Sequence, residues 1–417
     1  MREDDLMNTK EDILNMIEEE DVEFIRLQFA DVFGNLKNVA VTPGQIDRVV
    51  DGRYSFEGNA VFEGLSDETL YLKPDLDTFV ILPWRPKQGK VGKLICSVYT
   101  ADGKPFELCP RNILKRNLSS LQEKGMDAFI DPECEFFLFH RDEQGLATTI
   151  THEEAGYMDV GPVDLGENAR RDMVLTLEDM GFDIKSSHHE KAPGQHEIDF
   201  RGDSGVKAAD DVMTFKFAVR SVAKSFGLHA TFMPCPIQDA PGSSMHLRVS
   251  LYKDNRNIFN QNKELAENFA GGVLKHASEI CAFANPLVNS YKRLSKWKVS
   301  KKPAPEKSLI TVCDEFGERS VEVRFPDPSA NIYAVISLIL RAGLEGIDEK
   351  AEFEKASFKG LPGNLKDALL LAHDSKFVKE VLGEEFTQTY VNQKFAEWDE
   401  YLNKVSDWEI EKYLLKV

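Results

Sequence analysis

The sequence has few features that would place the protein at a membrane or on a nucleic acid. No stretch reaches the roughly 18 apolar residues that a membrane span needs, and the acidic start MREDDLMNTKEDIL lacks the charged and then apolar layout of a signal peptide. Basic residues are also outnumbered, because 51 Lys and Arg face 70 Asp and Glu, for a formal net charge of −19. This charge argues against a broad surface for nucleic acid or anionic lipid.

Cysteine is scarce and scattered along the chain. The six cysteines form no CxxC pair, and they are Cys96, Cys109, Cys134, Cys235, Cys281 and Cys313. Such spacing indicates free thiols in a reducing compartment and not a disulfide framework. We therefore expect a cytoplasmic protein.

The length of 417 residues exceeds what one small core can support, so two domains are expected. Residues 1–104 open with an amphipathic helix behind the possible cap Thr9 and continue in strand-like runs, including a hairpin that turns near Gly34. From Pro110 onward, residues 105–417 mix helices with strands and end in a helical tail. The predicted fold class is α+β.

Apolar faces at helical spacing predict further helices in the second domain. They cover Asn168–Met180, Ala209–Phe226, Glu264–Phe283 and Asn331–Gly343. The strand-like segments that carry the acidic motifs lie between these helices.

Six potential metal ligands lie in four such segments. They are Glu133 and Glu135 in DPECEFFLF, Glu190 and Glu197 in HHEKAPGQHEIDF, His246 in GSSMHLRVSL, and Glu322 in SVEVRF. Carboxylates two residues apart on a strand share one face and can converge on a common cleft. Five carboxylates and one imidazole form a hard, oxygen-rich set, which suits two Mg²⁺ or Mn²⁺ ions. Any one of these residues alone would more simply be an edge glutamate or a core histidine, but six together favour a metal site.

Several long motifs resemble those of class I glutamine synthetase, in the order of that family and over most of the chain. They are DPECEFFLF, SSHHEKAPGQHEIDF, GLHATFMP, NPLVNSYKRL and VEVRFPDPSANIY. The resemblance implies a small β-grasp-like domain followed by a catalytic domain, which is an antiparallel sheet barrel flanked by helices. It also implies an ATP-dependent ligase, in which the γ-phosphate of ATP passes to the side-chain carboxylate of glutamate and ammonia then displaces phosphate.

The resemblance assigns roles to the metal ligands. It implies Glu135, Glu190 and Glu197 for the first cation, and Glu133, His246 and Glu322 for the second, which bridges the phosphates of ATP. Arg293 in NSYKRL would hold the α-carboxylate of glutamate through the planar two-point geometry of a guanidinium group. Arg324 would lie near the substrate and phosphate, with a structural ion pair as its alternative.

Other residues fall at positions that line the active site in the family. Tyr157 and Gly242 correspond to substrate-lining positions, and Arg248 and Ser250 lie on the nucleotide side. The family forms two stacked hexameric rings whose active sites are shared between subunits, so we expect a dodecamer or a hexamer. Glu57 in FEGNA matches the ammonium-site loop, and it would serve the active site of a neighbouring subunit.

The sequence departs from the family near the reaction centre. The family follows NSYKRL with a flap that reads roughly PGYEAP and then with an NRS segment, whereas residues 295–320 read SKWKVSKKPAPEKSLITVCDEFGERS. The flap glutamate and two arginines therefore have no counterpart, unless the lysines of 296–307 substitute for them. Glu57 replaces an aspartate, Pro241 an asparagine and Arg248 a histidine or asparagine, and the segment after Gly346 is shorter than in the family.

Two main interpretations therefore stay open. The first is a ligase that joins ammonia, or a bulkier amine admitted by the shortened flap, to the γ-carboxyl of glutamate. The second is a catalytically impaired paralogue that keeps metal and nucleotide binding for a regulatory or structural role. A γ-glutamyl transferase or hydrolase that uses the same pocket is a weaker third interpretation.

Overall fold

The structure is a computed structural model, and it describes residues 8–62, 68–85, 88–151, 153–295, 309–315, 317–356 and 358–417. The chain opens with helix α1 (Lys10–Glu19), whose N-cap Thr9 accepts a hydrogen bond from the Asp12 amide at 3.2 Å. This helix buries Ile13 and Ile17. The predicted amphipathic helix is therefore present.

The N-terminal sheet follows this helix. Its strands are β1 (Val22–Ala30), β2 (Leu36–Val41), β3 (Tyr54–Glu57), β4 (Thr69–Ile81) and β5 (Lys90–Tyr99), and a short helix α2 (Ile46–Val50) lies between β2 and β3. The strand order is β2-β1-β5-β4-β3, with β1 and β5 parallel. The β1–β2 hairpin turns as predicted, because the Asp31 carboxylate accepts the amides of Phe33 and Asn35, each at 2.9 Å, while Gly34 adopts φ +80°.

Two antiparallel sheets form the second part of the chain. Their strands are β6 (Met126–Cys134), β7 (Phe136–Arg141), β8 (Ala147–Thr151), β9 (Ile184–His189), β10 (Gln195–Phe200), β11 (Asp203–Ser204), β12 (Leu228–Thr231), β13 (Met245–Lys253), β14 (Arg256–Asn257), β15 (Ile310–Glu315) and β16 (Glu318–Val323). One sheet runs β12-β7-β10-β9, with β8 beside β7. The other runs β11-β6-β13-β16-β15, with β14 beside β13.

Helices flank these sheets. They are α3 (Pro110–Gln122), α4 (Glu167–Asp179), α5 (Gly205–Ser225), α6 (Ile258–Gln261), α7 (Lys263–Ala284), α8 (Val288–Ser295), α9 (Ile332–Glu349), α10 (Leu365–Asp374), α11 (Lys376–Leu382), α12 (Glu384–Leu402) and α13 (Asp407–Tyr413). The α+β fold with antiparallel strands flanked by helices is confirmed. None of the helices in the described ranges has both the length and the apolar character that a membrane span needs.

The end predicted for α9 at Gly343 was wrong, because this glycine serves helix packing. A Cβ atom there would lie 2.1 Å from the ring of Phe269 on α7, and one at Gly346 would lie 2.6 Å from the backbone nitrogen of Gly272. The two helices therefore approach closely along a stripe of glycines, and α9 continues until Lys350 adopts the left-handed conformation at φ 54°.

Buried charges join the N-terminal sheet to the helices. Arg111 on α3 is almost fully buried, and its guanidinium group lies 2.7 Å from Asp75 on β4 and 2.6 Å from Asp210 on α5. It also donates to the Ser97 hydroxyl on β5 at 3.1 Å. The six cysteines are free, as expected, and only Cys313 among them is not fully buried.

Candidate active site

Strand β13 brings three of the predicted ligands together. It lies between β6 and β16, and the register places His246 directly opposite Glu133. The His246 Nδ1 atom lies 3.3 Å from Glu133 Oε2 and 3.4 Å from Glu322 Oε1. We call Glu133, His246 and Glu322 the central cluster, and it contains the three residues implied for the second cation.

The electrostatics of the central cluster follow from this geometry. Burial disfavours a charged imidazole, but the hydrogen bonds to Glu133 and Glu322 outweigh burial and raise the pKa of His246 to about 9. For Glu322, burial opposes ionisation, yet the contact with His246 and the nearby Arg324 and Arg248 lower its pKa to about 2. In this geometry the imidazole and the two carboxylates favour each other's charged forms.

A second group of ligands lies on the neighbouring sheet. Strands β9 and β10 pair His188 with Glu197, and His188 Nε2 lies 3.0 Å from Glu190 Oε1 and 3.8 Å from Glu197 Oε2. We call these three residues the edge cluster, because β9 is the edge strand. Sequence reasoning missed His188, although its position two residues before Glu190 in HHE put both side chains on one face.

The two clusters adjoin each other, and we call the region around them the cleft. Carboxylate oxygens of Glu133 in the central cluster and Glu197 in the edge cluster lie within 4.8 Å of each other and of Asp199, another residue that sequence reasoning missed. Burial and the charges of Glu135 and Asp199 raise the pKa of Glu197 to about 11. The site therefore brings several carboxylates close together, and a divalent cation bound there would favour their charged forms.

Glu135 adjoins both clusters but belongs to neither as they are defined above. Its carboxylate accepts hydrogen bonds from Gln195 Nε2 at 2.8 Å, from the Ser244 amide at 2.9 Å and from the Ser244 hydroxyl at 2.8 Å. The same hydroxyl lies 3.2 Å from His246 Nε2, so Ser244 links Glu135 to the central cluster. Burial and the negative charge of Glu190 raise the pKa of Glu135. Glu135 therefore also interacts electrostatically with the edge cluster.

A buried layer supports the edge cluster from the other face of β9 and β10. The side chains of His189 and His196 are fully buried as a directly opposed pair, and His189 Nε2 lies 2.8 Å from Glu153 Oε1. Glu153 also accepts the Gly194 amide at 2.7 Å, and Arg170 lies 2.9 Å from His196 Nδ1. Since these groups bond to one another under the sheet, they position the strands and do not face the cleft.

Arg293 lies in the protein interior beside the segment that follows β16. Helix α8 directs its guanidinium group to the Asn285 side-chain oxygen at 2.9 Å, to the Pro326 carbonyl at 3.3 Å and to the Phe325 carbonyl. Burial lowers its pKa, and the nearby charges of Asp327 and Glu135 oppose that shift. Its fixed position near Glu135 is compatible with the role implied for it.

Two predicted residues lie at the rim of the cleft. Arg324 Nε is 3.9 Å from Glu322 Oε2, next to the central cluster. Tyr157 is half exposed, and its ring packs edge to face on His188, with 5.5 Å between the ring centroids. Lys191 Nζ lies 5.8 Å from the centre of the Tyr157 ring. Tyr157 therefore borders the edge cluster.

The two positions expected on the nucleotide side differ in their surroundings. Arg248 lies on the same face of β13 as His246, within 3.2 Å of Glu133, 3.6 Å of Glu322 and 2.7 Å of Glu315. Ser250 donates its hydroxyl to the Arg319 carbonyl at 3.2 Å. Arg248 therefore belongs with the central cluster in this single chain.

Glu57 does not join these residues. It is exposed at the end of β3, the edge strand of the N-terminal sheet. Among the described residues, its side chain makes no hydrogen bond or ion pair with either cluster. The lysines considered as substitutes for the missing flap glutamate and arginines, from Lys296 to Lys307, lie outside the described residues.

Comparisons with known proteins match both parts of the chain. Residues 21–101 match the family model described as glutamine synthetase, beta-Grasp domain, and residues 107–413 match glutamine synthetase, catalytic domain. The chain is 46% identical to a glutamine synthetase of Clostridium saccharobutylicum, over 98% of this chain and 99% of that protein. It is 44% identical to one of Staphylococcus aureus strain N315, over 97% of this chain and 98% of that protein.

Solved structures are similar over the same length. A structure titled "Apo GmaS without ligand" superposes with a TM-score of 0.88 and 28% identity, and it covers 97% of this chain and 99% of that chain. A GmaS complex with ADP superposes with a TM-score of 0.85 and 26% identity over the same shares of the two chains. The similarity therefore includes the N-terminal sheet, both antiparallel sheets and the helices around them.

Proposed function

The chain belongs to the glutamine synthetase family, and from this premise we propose that it is an ATP-dependent ligase that forms a γ-glutamyl amide from glutamate and ammonia, or another amine. The observation that carries this proposal is the convergence of the central and edge clusters in one cleft, with Arg293 nearby. In the first step an oxygen of the glutamate side-chain carboxylate attacks the γ-phosphorus of ATP, which gives γ-glutamyl phosphate and ADP. The amine nitrogen then attacks the acyl carbon, phosphate leaves and the nitrogen loses a proton.

The donor set fits two hard divalent cations, Mg²⁺ or Mn²⁺. Carboxylate oxygens and one imidazole nitrogen suit these ions, and within each cluster the ligand atoms lie within 4.8 Å of one another. Glu190 and Glu197 of the edge cluster, together with Glu135, would hold one ion, and Glu133, His246 and Glu322 of the central cluster would hold the other. When bound, such ions neutralise charge on the phosphates of ATP and on the transferring phosphoryl group.

The chain's own residues orient the substrates in this proposal. Arg293 holds the α-carboxylate of glutamate, and Tyr157 and Gly242 line the pocket beside it. Arg324, at the rim of the central cluster, stabilises the negative charge that develops on the transferring group. Arg248 and Ser250 are assigned to the nucleotide side of β13.

Assembly is part of the same proposal. The exposed position of Glu57 suits a residue that serves the cleft of a neighbouring subunit, and the active site then needs a hexameric or dodecameric assembly. The division of the chain at residues 104 and 105 separates the domain that contributes Glu57 from the domain that carries the clusters. Each subunit would therefore have an incomplete site by itself.

A second candidate function has its own support. The sequence lacks counterparts of the flap glutamate and of two arginines, and the Arg248 guanidinium group lies within 3.2 Å of a predicted metal ligand. Removal of one preorganised charge-stabilising donor commonly costs about 10²–10³ in rate. An impaired paralogue that binds metal and nucleotide for a regulatory or structural role is the alternative.

Phosphate release by the purified full-length chain separates these functions. The protein is incubated with ATP, Mg²⁺ and glutamate, with ammonium or one of a panel of amines, and Glu197→Gln is the matched variant that removes one carboxylate at nearly constant size. The ligase proposal expects release that depends on both glutamate and an amine and is lost in the variant. Absence of release with every amine rejects the ligase, and a melting temperature that still rises with ATP and Mg²⁺ then supports the alternative.

A further inference from the structure

Arg248 occupies an unusual place in the central cluster. The register of β13 puts it opposite Glu322, two residues along the strand from His246, so both side chains point to the same face. Its NH2 atom lies 3.2 Å from Glu133 Oε1, and its Nε atom lies 3.6 Å from Glu322 Oε1. The guanidinium group therefore contacts both carboxylates of the cluster.

These contacts use the oxygens that a metal ion would need. Glu322 Oε1 lies 3.6 Å from Arg248 and 3.4 Å from His246, and Glu133 directs one oxygen to each of these two residues. A divalent cation bound at the same oxygens would lie within a few ångströms of the guanidinium charge. Two positive charges at such a distance repel strongly in a partly buried site.

Arg248 also has a partner outside the cluster. Its NH1 atom donates to Glu315 Oε2 at 2.7 Å, the shortest of its three carboxylate contacts. Glu315 ends β15, and its side chain is 54% exposed. The guanidinium group therefore lies between the largely buried carboxylates of Glu133 and Glu322 and the more exposed carboxylate of Glu315. If it leaves the cluster, it can stay paired with Glu315.

We infer that Arg248 is an internal cation that competes with a divalent metal ion for Glu133 and Glu322, and that it thereby lowers the affinity of the central cluster for the ion. Glu315 favours metal binding by holding the guanidinium group on the outer side. The inference rests on the proposed function in that it takes the central cluster as a metal site. Metal binding at this cluster can be measured without catalytic turnover.

Titration with Mn²⁺ tests the competition directly. The free Mn²⁺ that remains is followed by electron paramagnetic resonance, which gives the number of sites and their dissociation constants for the full-length chain without substrate. Arg248→Gln removes the charge, and we expect one of the two sites, which we assign to the central cluster, to tighten by about tenfold or more. Glu315→Gln removes the outer partner, and we expect the same site to weaken by about threefold or more.

Two further variants serve as controls. Arg248→Lys keeps a positive charge, so the affinity of that site should stay close to the wild-type value. Arg319→Gln removes an arginine of the same sheet that bonds to Asp314 and to the Phe259 carbonyl, each at 2.7 Å, and it should leave both sites unchanged. Melting temperatures establish that each variant is folded before the titration.

The outcomes separate this inference from the proposed function. The competition is overturned if the dissociation constants of the two Mn²⁺ sites do not change in Arg248→Gln. It is also overturned if they change in the same direction in Arg248→Gln and Glu315→Gln. Either result leaves the metal-dependent ligase intact. If neither the wild type nor Arg248→Gln binds Mn²⁺, both proposals fail. Opposite shifts in these two variants, with Arg319→Gln unchanged, are the expected result.

Discussion

The backbone of Gly242 lies directly against the side chain of Arg293. A Cβ atom at residue 242 would lie 3.0 Å from Arg293 Cγ and 2.2 Å from the carbonyl oxygen of Pro234. That carbonyl also accepts the Ser243 amide at 2.8 Å, so the loop cannot move away without breaking a hydrogen bond. The position of Arg293 therefore depends on a residue without a side chain.

Gly242→Ala should accordingly disturb both stability and substrate binding. Overpacking of this kind costs about 1–3 kcal/mol in the free energy of unfolding, and displacement of Arg293 should raise the KM for glutamate more than it lowers kcat. Denaturant unfolding and steady-state kinetics measure the two effects. Gly363→Ala is the control, because a Cβ atom there meets no atom within 4 Å. Equal behaviour of the two variants would contradict this prediction.

His188→Asn should weaken metal binding at the edge cluster. The imidazole lies 3.0 Å from the Glu190 carboxylate and orients it toward Glu197. Loss of a group that orients a metal ligand typically lowers metal affinity by about 10–100-fold. Isothermal titration calorimetry with Mn²⁺ measures the change, and His229→Asn on β12 of the same sheet is the matched control. An unaltered affinity in His188→Asn would exclude a positioning role.

His276 should make stability depend on pH. Its Nδ1 lies 2.9 Å from Glu279 and its Nε2 lies 3.1 Å from Glu345, while its ring stacks on Phe377 with 3.9 Å between the centroids. Burial disfavours the charged imidazole, but the hydrogen bonds to the two carboxylates outweigh it and raise the pKa of His276 above 6.5. The folded state therefore binds this proton more tightly than the unfolded state.

The resulting stabilisation is complete below the unfolded pKa and is lost as pH rises through the folded pKa. His276→Gln should therefore lose the most stability, relative to the wild type, near pH 5, and the difference should shrink as pH rises through the folded pKa to alkaline values. The free energy of unfolding, measured for both proteins across this range, checks the prediction. A difference that stays constant with pH would show that the ring contributes only through packing.

Arg111→Met should destabilise the protein strongly, because it leaves Asp210 buried without its cation. Truncation of one partner of a buried ion pair costs about 3–5 kcal/mol. The double variant Arg111→Met with Asp210→Asn should recover much of that loss, and chemical denaturation measures both. Arg201→Met is the control, since its pair with Asp183 is 3.7 Å long with both side chains more than 60% exposed. A loss of similar size in Arg201→Met would refute the role assigned to burial.

The sequence alone was sufficient for the local structure and for the family. Thr9 before an apolar helical pattern predicted α1, and Gly34 in an alternating segment predicted the β1–β2 hairpin. These features depend on contacts between residues close in sequence, so spacing is enough to find them. The long motifs in family order also predicted the type of ligase and the carboxylate-rich strands.

Only the tertiary structure decided the individual contacts among these side chains. Alternation along a strand determines the face that a side chain points to, but the strand order and register determine what lies opposite, and they depend on the whole fold. They place Glu133 directly opposite His246, bring His188 into the edge cluster, link Glu135 to the central cluster through Ser244 and put Arg248 among the ligands. Likewise, α9 continues past Gly343 because α7 packs against that glycine, a contact that no local pattern reveals.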